Sequence, residues 1–191
     1  MLTAATDLLS NGFDPKFVAG VLGNILAEGT PGKFESSNYS SNPSDEPAYL
    51  VYMDENFDYR NTYSGRSIID IGIDSAVDIA NKARDTGYEG KFGLGMIQWT
   101  GERTNNLLDV YQSKSTSNYP SLDECASIEA SFMVSELQSS SYSYIYDTWQ
   151  SDPTPYNAGS LICINYEVPS DRYNKAVTRG NNAETIYGLM F

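Results

Sequence analysis

The segment from Ala19 to Glu28 ends an apolar helical pattern with a single acid. Asp14 followed by Pro15 is typical of a helix start, and Gly29 stands where helices commonly end. Burial at a helix end disfavours the charged form of a carboxyl group. A carboxylic acid that stays protonated near neutral pH is what cleavage of a glycosidic bond needs. The sequence thus makes Glu28 a candidate general acid, the alternative being a surface acid near a helix end.

Other side chains narrow the chemistry further. Asn24 lies one helical turn before Glu28 and on the same face. The chain has no histidine, which excludes Ser-His-Asp and Cys-His catalysis and most zinc sites. Cys125 and Cys163 have apolar neighbours and are interpreted as small core residues, with a disulfide as the alternative. We therefore expect no metal and no cofactor.

Composition indicates the class of partner. The 191 residues are 40% hydrophobic, which suits a globular domain with a core, and neither a membrane-spanning run nor a signal peptide is visible. A net charge of −13 argues against nucleic acid and anionic membranes as partners. The 15 tyrosines offer flat amphipathic faces of the kind on which sugar rings stack, which is a weak signal for carbohydrate.

The periodicity of apolar residues and the residues typical of helix starts and ends predict an α+β chain that is mainly helical. The predicted helices are Leu2–Leu9, a helix from Asp14 to Glu28, Asp74–Arg84, Glu102–Ser113, Leu122–Gln138, Tyr144–Trp149, Thr154–Glu167 and Asp171–Leu189. Strands are expected at 49–53 and in the glycine-rich segment 90–101. No linker divides the chain, so we expect one domain over 1–191, with an insertion at about 30–88.

Three blocks carry a resemblance to a known family. The first is Gly20–Glu28, which reads GVLGNILAE, and the second is Phe92–Arg103, which reads FGLGMIQWTGER. The third is Asn165–Pro169, which reads NYEVP and precedes a final helix that contains Ala and Arg. In this order they resemble the phage tail lysozyme family of the lysozyme superfamily. The first two blocks are fairly specific, and the third alone is weak.

The resemblance implies a lysozyme-like fold of two lobes, with a small β region and a substrate cleft. It implies cleavage of the β-1,4 bond between N-acetylmuramic acid and N-acetylglucosamine in peptidoglycan, with Glu28 as the general acid. Gln98 would contact the glycan, and Trp99 would be either a stacking surface or a core residue. Tyr166 and Glu167 would approach the cleft from the facing helix, the alternative for both being a structural role. The partners would be peptidoglycan strands and further domains of a longer tail or cell-wall protein, at the virion tail or the cell-wall face.

The identity of a second carboxylate is left open by the sequence. A hydrolase needs a second acid, and Glu35 and Glu89 are the candidates in the region between the first two blocks. Glu167 is interpreted as the ion-pair partner of an arginine such as Arg172 or Arg179. If no second acid exists, Glu28 would act alone as a lytic transglycosylase. A third possibility is a binding or structural module without catalysis.

Overall fold

The structure is a computed structural model that describes residues 1–35, 65–85 and 93–191. By compactness the chain divides into a first unit, Met1–Gly29 with Ala126–Phe191, and a second unit, Thr30–Cys125. The described helices are α1 (Leu2–Ser10), α2 (Pro15–Glu28), α3 (Ile68–Ile71), α4 (Ile73–Asp85), α5 (Glu102–Lys114), α6 (Leu122–Gln138), α7 (Ser143–Trp149), α8 (Pro155–Ile162) and α9 (Arg172–Met190). The prediction of a mainly helical chain is confirmed.

Strands are scarce in the described part of the chain, where the β-type pairing consists of isolated bridges. Leu94 forms bridges with Phe34 and with Trp99. Residues 95–98, which lie between Leu94 and Trp99, form a tight turn. In this turn Gln98 adopts the left-handed region at φ 54°. The prediction of strands in segment 90–101 is wrong for residues 93–101, because Leu94 and Trp99 pair only as isolated bridges and the residues between them form a turn. The strand predicted at 49–53 lies outside the described residues.

Local signals set the limits of α2 as the sequence predicts. Asp14 caps the helix, because its Oδ1 accepts a hydrogen bond from the backbone N–H of Lys16 at 2.8 Å. Pro15 occupies the first turn, where a missing N–H costs nothing. The helix ends at Glu28, and Gly29 continues in an extended conformation at φ −173°. Nearly the whole helix is buried up to Ile25, so Glu28 stands where the core element meets its boundary.

The core of the first unit is built from α2, α8 and α9, which pack closely on one another. A Cβ atom on Gly20 would lie 2.3 Å from the Cβ of Ala158, and one on Gly159 would lie 2.5 Å from the carbonyl oxygen of Arg179. Asn24 is fully buried among these helices and donates from Nδ2 to the carbonyl oxygens of Gly20 (2.9 Å) and Gly159 (3.0 Å). These contacts position the end of α2 against α9.

After α8 the backbone changes from an α-helix to a wider π-helical turn before the last helix begins. Cys163–Glu167 form a π-helical turn, which ends at Val168 in the left-handed region at φ 51°. The predicted helix to Glu167 is confirmed in extent. Turns of this kind are rare and often occur at functional sites. Here the turn carries Tyr166 and Glu167, the two residues of the third block that the sequence singled out.

The second unit packs α3 against α4 and α4 against α5. Its glycine-rich turn is attached to α5, since Thr104 Oγ1 donates to the carbonyl oxygen of Trp99 at 2.6 Å. No helix in the described ranges is long and apolar enough to cross a membrane.

Candidate active site

The acid predicted from the sequence sits in a charged cluster. Glu28 keeps 18% of its side-chain surface exposed at the end of α2. Its Oε1 accepts a hydrogen bond from Nη2 of Arg179 and forms an ion pair with that guanidinium. Arg179 lies on α9, and 7% of its side-chain surface is exposed. A partly exposed carboxyl group at the edge of a buried core can reach a ligand while its environment controls its charge.

A second carboxyl group lies in the same cluster. Glu167 is 2% exposed and accepts from Arg179 through both oxygens, from Nη2 to Oε1 at 3.2 Å and from Nε to Oε2 at 3.5 Å. Nη2 of Arg179 thus contacts both carboxyl groups, which brings Glu28 and Glu167 close to each other. The prediction that Glu167 pairs with an arginine is confirmed, with Arg179 as that arginine.

The environment of Glu167 favours its neutral form. Burial is the largest cause, followed by the hydrogen bond to Glu28, and together they raise the pKa of Glu167 to about 8 against the opposing effect of Arg179. Burial tends to lower the pKa of Arg179, but the hydrogen bond to Glu167 and the charges of both glutamates outweigh it and raise that pKa. The cluster therefore consists of a fixed cation and two carboxyl groups, of which Glu167 binds a proton readily near neutral pH.

Cys163 lies behind this cluster at the start of the π-helical turn. Burial, and then the negative charge of Glu167, raise the pKa of its thiol to about 11. Its Sγ donates to the carbonyl oxygen of Arg172 at 3.6 Å. Both Cys163 and Cys125 are buried thiols, so the interpretation of the cysteines as small core residues is confirmed. The described residues contain no cluster of three or more His, Cys, Asp or Glu placed to hold a metal ion.

Three of the predicted site residues belong to the second unit, around its glycine-rich turn. Gln98 donates from Nε2 to the carbonyl oxygens of Gly95 (2.7 Å) and Lys33 (3.3 Å), while its buried Oε1 has no hydrogen-bond partner among the described residues. Trp99 is 1% exposed, which favours the core alternative over a stacking surface. Glu35 accepts from the backbone N–H of Gly93 at 3.2 Å through Oε2. Glu89 lies outside the described residues.

The structure places Tyr166 and Asn24 inside the first unit. Tyr166 is 1% exposed, packs edge-to-face on Tyr142 at 5.2 Å and donates its hydroxyl to Glu136. Asn24 is 0% exposed and its Oδ1 has no hydrogen-bond partner. Neither side chain offers surface to a ligand in this arrangement, because both are enclosed by neighbouring helices. Their substrate contacts remain untested predictions.

Comparison with known protein families gives the family of this chain. A family model described as phage tail lysozyme matches residues 1–190. The chain belongs to the phage tail lysozyme family. No curated protein and no solved structure matches it significantly. Membership in the phage tail lysozyme family supports a lysozyme-like, peptidoglycan-degrading function at the virion tail.

The proximity of Glu167 to Glu28 is the feature that sequence reasoning missed. The resemblance implies that Glu167 approaches the cleft, but the sequence favours a structural ion pair with an arginine and does not predict its contact with the same guanidinium as Glu28. Glu28 and Arg179 are 151 positions apart in the chain, so no local pattern could bring the two glutamates together.

Proposed function

We propose that this phage tail lysozyme is a glycosidase that cleaves the β-1,4 bond between N-acetylmuramic acid and N-acetylglucosamine. Glu28 is the general acid that protonates the leaving oxygen. The observation that carries the proposal is the pairing of Glu28 with Arg179 and the buried Glu167. Of the two carboxyl groups, Glu28 has the exposed surface that a donor to a polymer needs.

The same geometry bears on the second acid. Inverting glycosidases hold their two carboxyl groups roughly 6.5–9.5 Å apart, and retaining ones about 5–5.5 Å apart, because the reacting sugar carbon lies between them. Glu167 has 2% of its side chain exposed and accepts from Arg179 through both oxygens, which leaves no space for a sugar or a water beside it. Glu167 is thus unsuited to activate water or to act as the nucleophile. Glu35 and Glu89 remain the candidates for a second acid.

This observation favours a second candidate function alongside hydrolysis. If Glu28 works alone, it protonates the leaving oxygen and then accepts the proton of the 6-hydroxyl of the muramic acid, which attacks its own C1. The products then carry 1,6-anhydro ends and are lighter by one water than hydrolysis products. Mass spectrometry of soluble fragments from purified peptidoglycan separates the two reactions, since hydrolysis leaves reducing muramic acid ends.

The proposal is tested by replacing Glu28 with glutamine. Glu28→Gln keeps the size and the hydrogen-bonding capacity of the side chain but cannot donate a carboxyl proton. We expect fragment release from peptidoglycan to fall by about 10²–10⁴-fold, the usual contribution of a general acid. Glu184→Gln, which removes an equal charge from an exposed site on α9, is the matched control and should keep wild-type activity.

Two results would count against this function. Fragment release by Glu28→Gln within threefold of wild type would remove Glu28 from its role. If wild-type protein sediments with peptidoglycan from several wall types but releases no fragments, the protein is a binding module without glycosidase activity. Circular dichroism of each variant shows that the fold is retained.

A further inference from the structure

Glu28 and Glu167 both contact the same nitrogen of Arg179, Nη2, and therefore lie close to each other. Two ionised carboxylates repel each other and offer acceptors alone, so the pair can share a hydrogen bond when one of the two is protonated. The cluster contains one guanidinium, from Arg179, for two carboxyl groups. With one proton shared, a single negative charge faces a single positive charge, which is the arrangement that a poorly solvated site favours.

Arg179 by itself would hinder acid catalysis. A guanidinium in contact with a carboxyl group favours its charged form, whereas a general acid must be protonated when the substrate arrives. The guanidinium contacts Glu167 through two nitrogens, and one of these, Nη2, also contacts Glu28. The same cation can therefore balance a negative charge on either glutamate without moving.

We propose that Glu167 is a positioning residue for acid catalysis, which exchanges one proton with Glu28 while Arg179 balances whichever carboxyl group is charged. This inference rests on the proposed role of Glu28. In the resting state the proton is on Glu167 and Glu28 is the carboxylate. In the reactive state the O–H bond of Glu167 breaks, an O–H bond on Glu28 forms, and the negative charge passes to Glu167. No atom enters or leaves, and nothing is oxidised.

The burial of the two glutamates suits this division of roles. Glu167 is 2% exposed, so it cannot touch a glycan, whereas Glu28 has 18% of its side chain exposed. Burial, the strongest influence on Glu167, stabilises the proton in the resting state. Among the described residues, Glu28, Arg179 and Cys163 on the π-helical turn interact with Glu167, and Lys175 on α9 acts on Cys163. Cys163 is neutral at working pH, since burial keeps its pKa at about 11.

The test is the dependence of kcat/KM on pH for Glu167→Gln. Glutamine keeps the hydrogen bonds but cannot become negative, so protonating Glu28 would leave Arg179 without a counter-charge. We expect the alkaline limb of the profile to shift to lower pH by at least about one unit, which would lower kcat/KM about tenfold at pH 7. Activity should recover to within about threefold of wild type at pH 5. Glu167→Asp should restore the limb toward its wild-type position.

A purely structural Glu167 gives a different result. If Glu167 is purely structural, Glu167→Gln would lower kcat/KM by the same factor at every pH or leave kcat/KM unchanged. Either profile would overturn the proposal.

A measurement that does not depend on enzyme activity separates this inference from the proposed function. In ¹³C NMR titrations of glutamate-labelled protein, the Glu167 carboxyl, assigned by its loss in Glu167→Gln, should titrate above about pH 6 in wild type. In Glu28→Gln its midpoint should fall, because the carboxyl partner is gone. A Glu167 that titrates near its ordinary value in wild type refutes the shared proton, even if Glu28→Gln is inactive. If the midpoints behave as expected in a protein that cleaves no glycan, the proposed function fails and the shared proton stands.

Discussion

Replacing Gly20 by alanine would test the close approach of helices on which the site depends. Gly20 lies in the middle of α2, and the Cβ atom of an alanine there would meet the Cβ of Ala158 at 2.3 Å. It would also lie 2.6 Å from the carbonyl carbon of Ala158 and from the backbone nitrogen of Gly159. Because two of these three atoms are backbone, no side-chain rotation can relieve the contact, and α2 and α8 must move apart.

The size of the effect follows from those distances. Ordinary van der Waals contacts begin near 3.4 Å, so the two helices must separate by about 1 Å. Forcing an extra methyl group into a packed core costs roughly 1–3 kcal/mol, or more where the backbone must shift. Alanine returns up to about 1 kcal/mol through its helix propensity. Because the backbone must shift, we expect the upper end of that cost, so that the free energy of unfolding falls by about 2 kcal/mol or more and Tm by at least roughly 4 °C.

Gly188→Ala is the matched control for the Gly20 experiment. Gly188 also lies inside a helix, α9, but a Cβ atom there meets nothing within 4 Å. The same exchange should therefore stabilise the protein by up to about 1 kcal/mol. Denaturant unfolding followed by circular dichroism gives both free energies, and their difference isolates the cost of the contact.

The result that would refute the packing argument is a Gly20→Ala variant as stable as Gly188→Ala. Stabilities within about 0.5 kcal/mol of each other would mean that α2 and α8 do not approach as closely as the structure shows. In the expected case, fragment release should fall as well, because the contact that separates the helices also moves the end of α2 that carries Glu28.

Three further outcomes can be measured on the same protein. Asn24→Ala should lower the free energy of unfolding by about 1–3 kcal/mol, because it removes two buried hydrogen bonds, one within α2 and one from α2 to α8, and denaturant titration checks this. The raised pKa of Glu167 means that the folded state binds a proton more tightly than the unfolded state, so this group stabilises the fold fully below about pH 4.5 and loses that contribution as pH rises toward 8. At about 1.4 kcal/mol per pKa unit, and with the proton shared with Glu28, the unfolding free energy of wild type relative to Glu167→Gln should fall by about 2–3 kcal/mol from pH 5 to pH 8. An unchanged difference would contradict the shifted pKa. Cys125 and Cys163 are both 0% exposed, so a thiol reagent should label them at the rate of unfolding, and rapid labelling of either in the native protein would contradict its burial.

The candidate general acid and the helix that carries it could be predicted from the sequence. Asp14, Pro15 and Gly29 act through contacts within a few residues, and such contacts are visible in the order of the chain. The apolar periodicity before Glu28 predicts a buried helix, and α2 is buried as far as Ile25. The family and the mainly helical character followed from patterns of this local kind.

The predicted strands failed because a glycine-rich segment is compatible with several backbone paths. Gly93 and Gly95 fit a strand, a bulge or a tight turn equally well in sequence. The structure selects the turn through the Leu94–Trp99 bridge and the positive φ of Gln98. Which path is adopted depends on pairing with Lys33 and Phe34, some 60 residues away in the chain, and not on the segment alone.

The environment of the acid was decided by the tertiary structure. Glu28 and Arg179 meet across 151 positions because glycines allow α2, α8 and α9 to pack with almost no side chain between them. The π-helical turn then directs Glu167 inward, where burial makes its carboxyl group hold a proton. The sequence by itself thus determined which helix ends in an acid, since helix limits depend on neighbouring residues. The charge state around that acid depends on distant groups and on exclusion of water, which exist once the helices have packed.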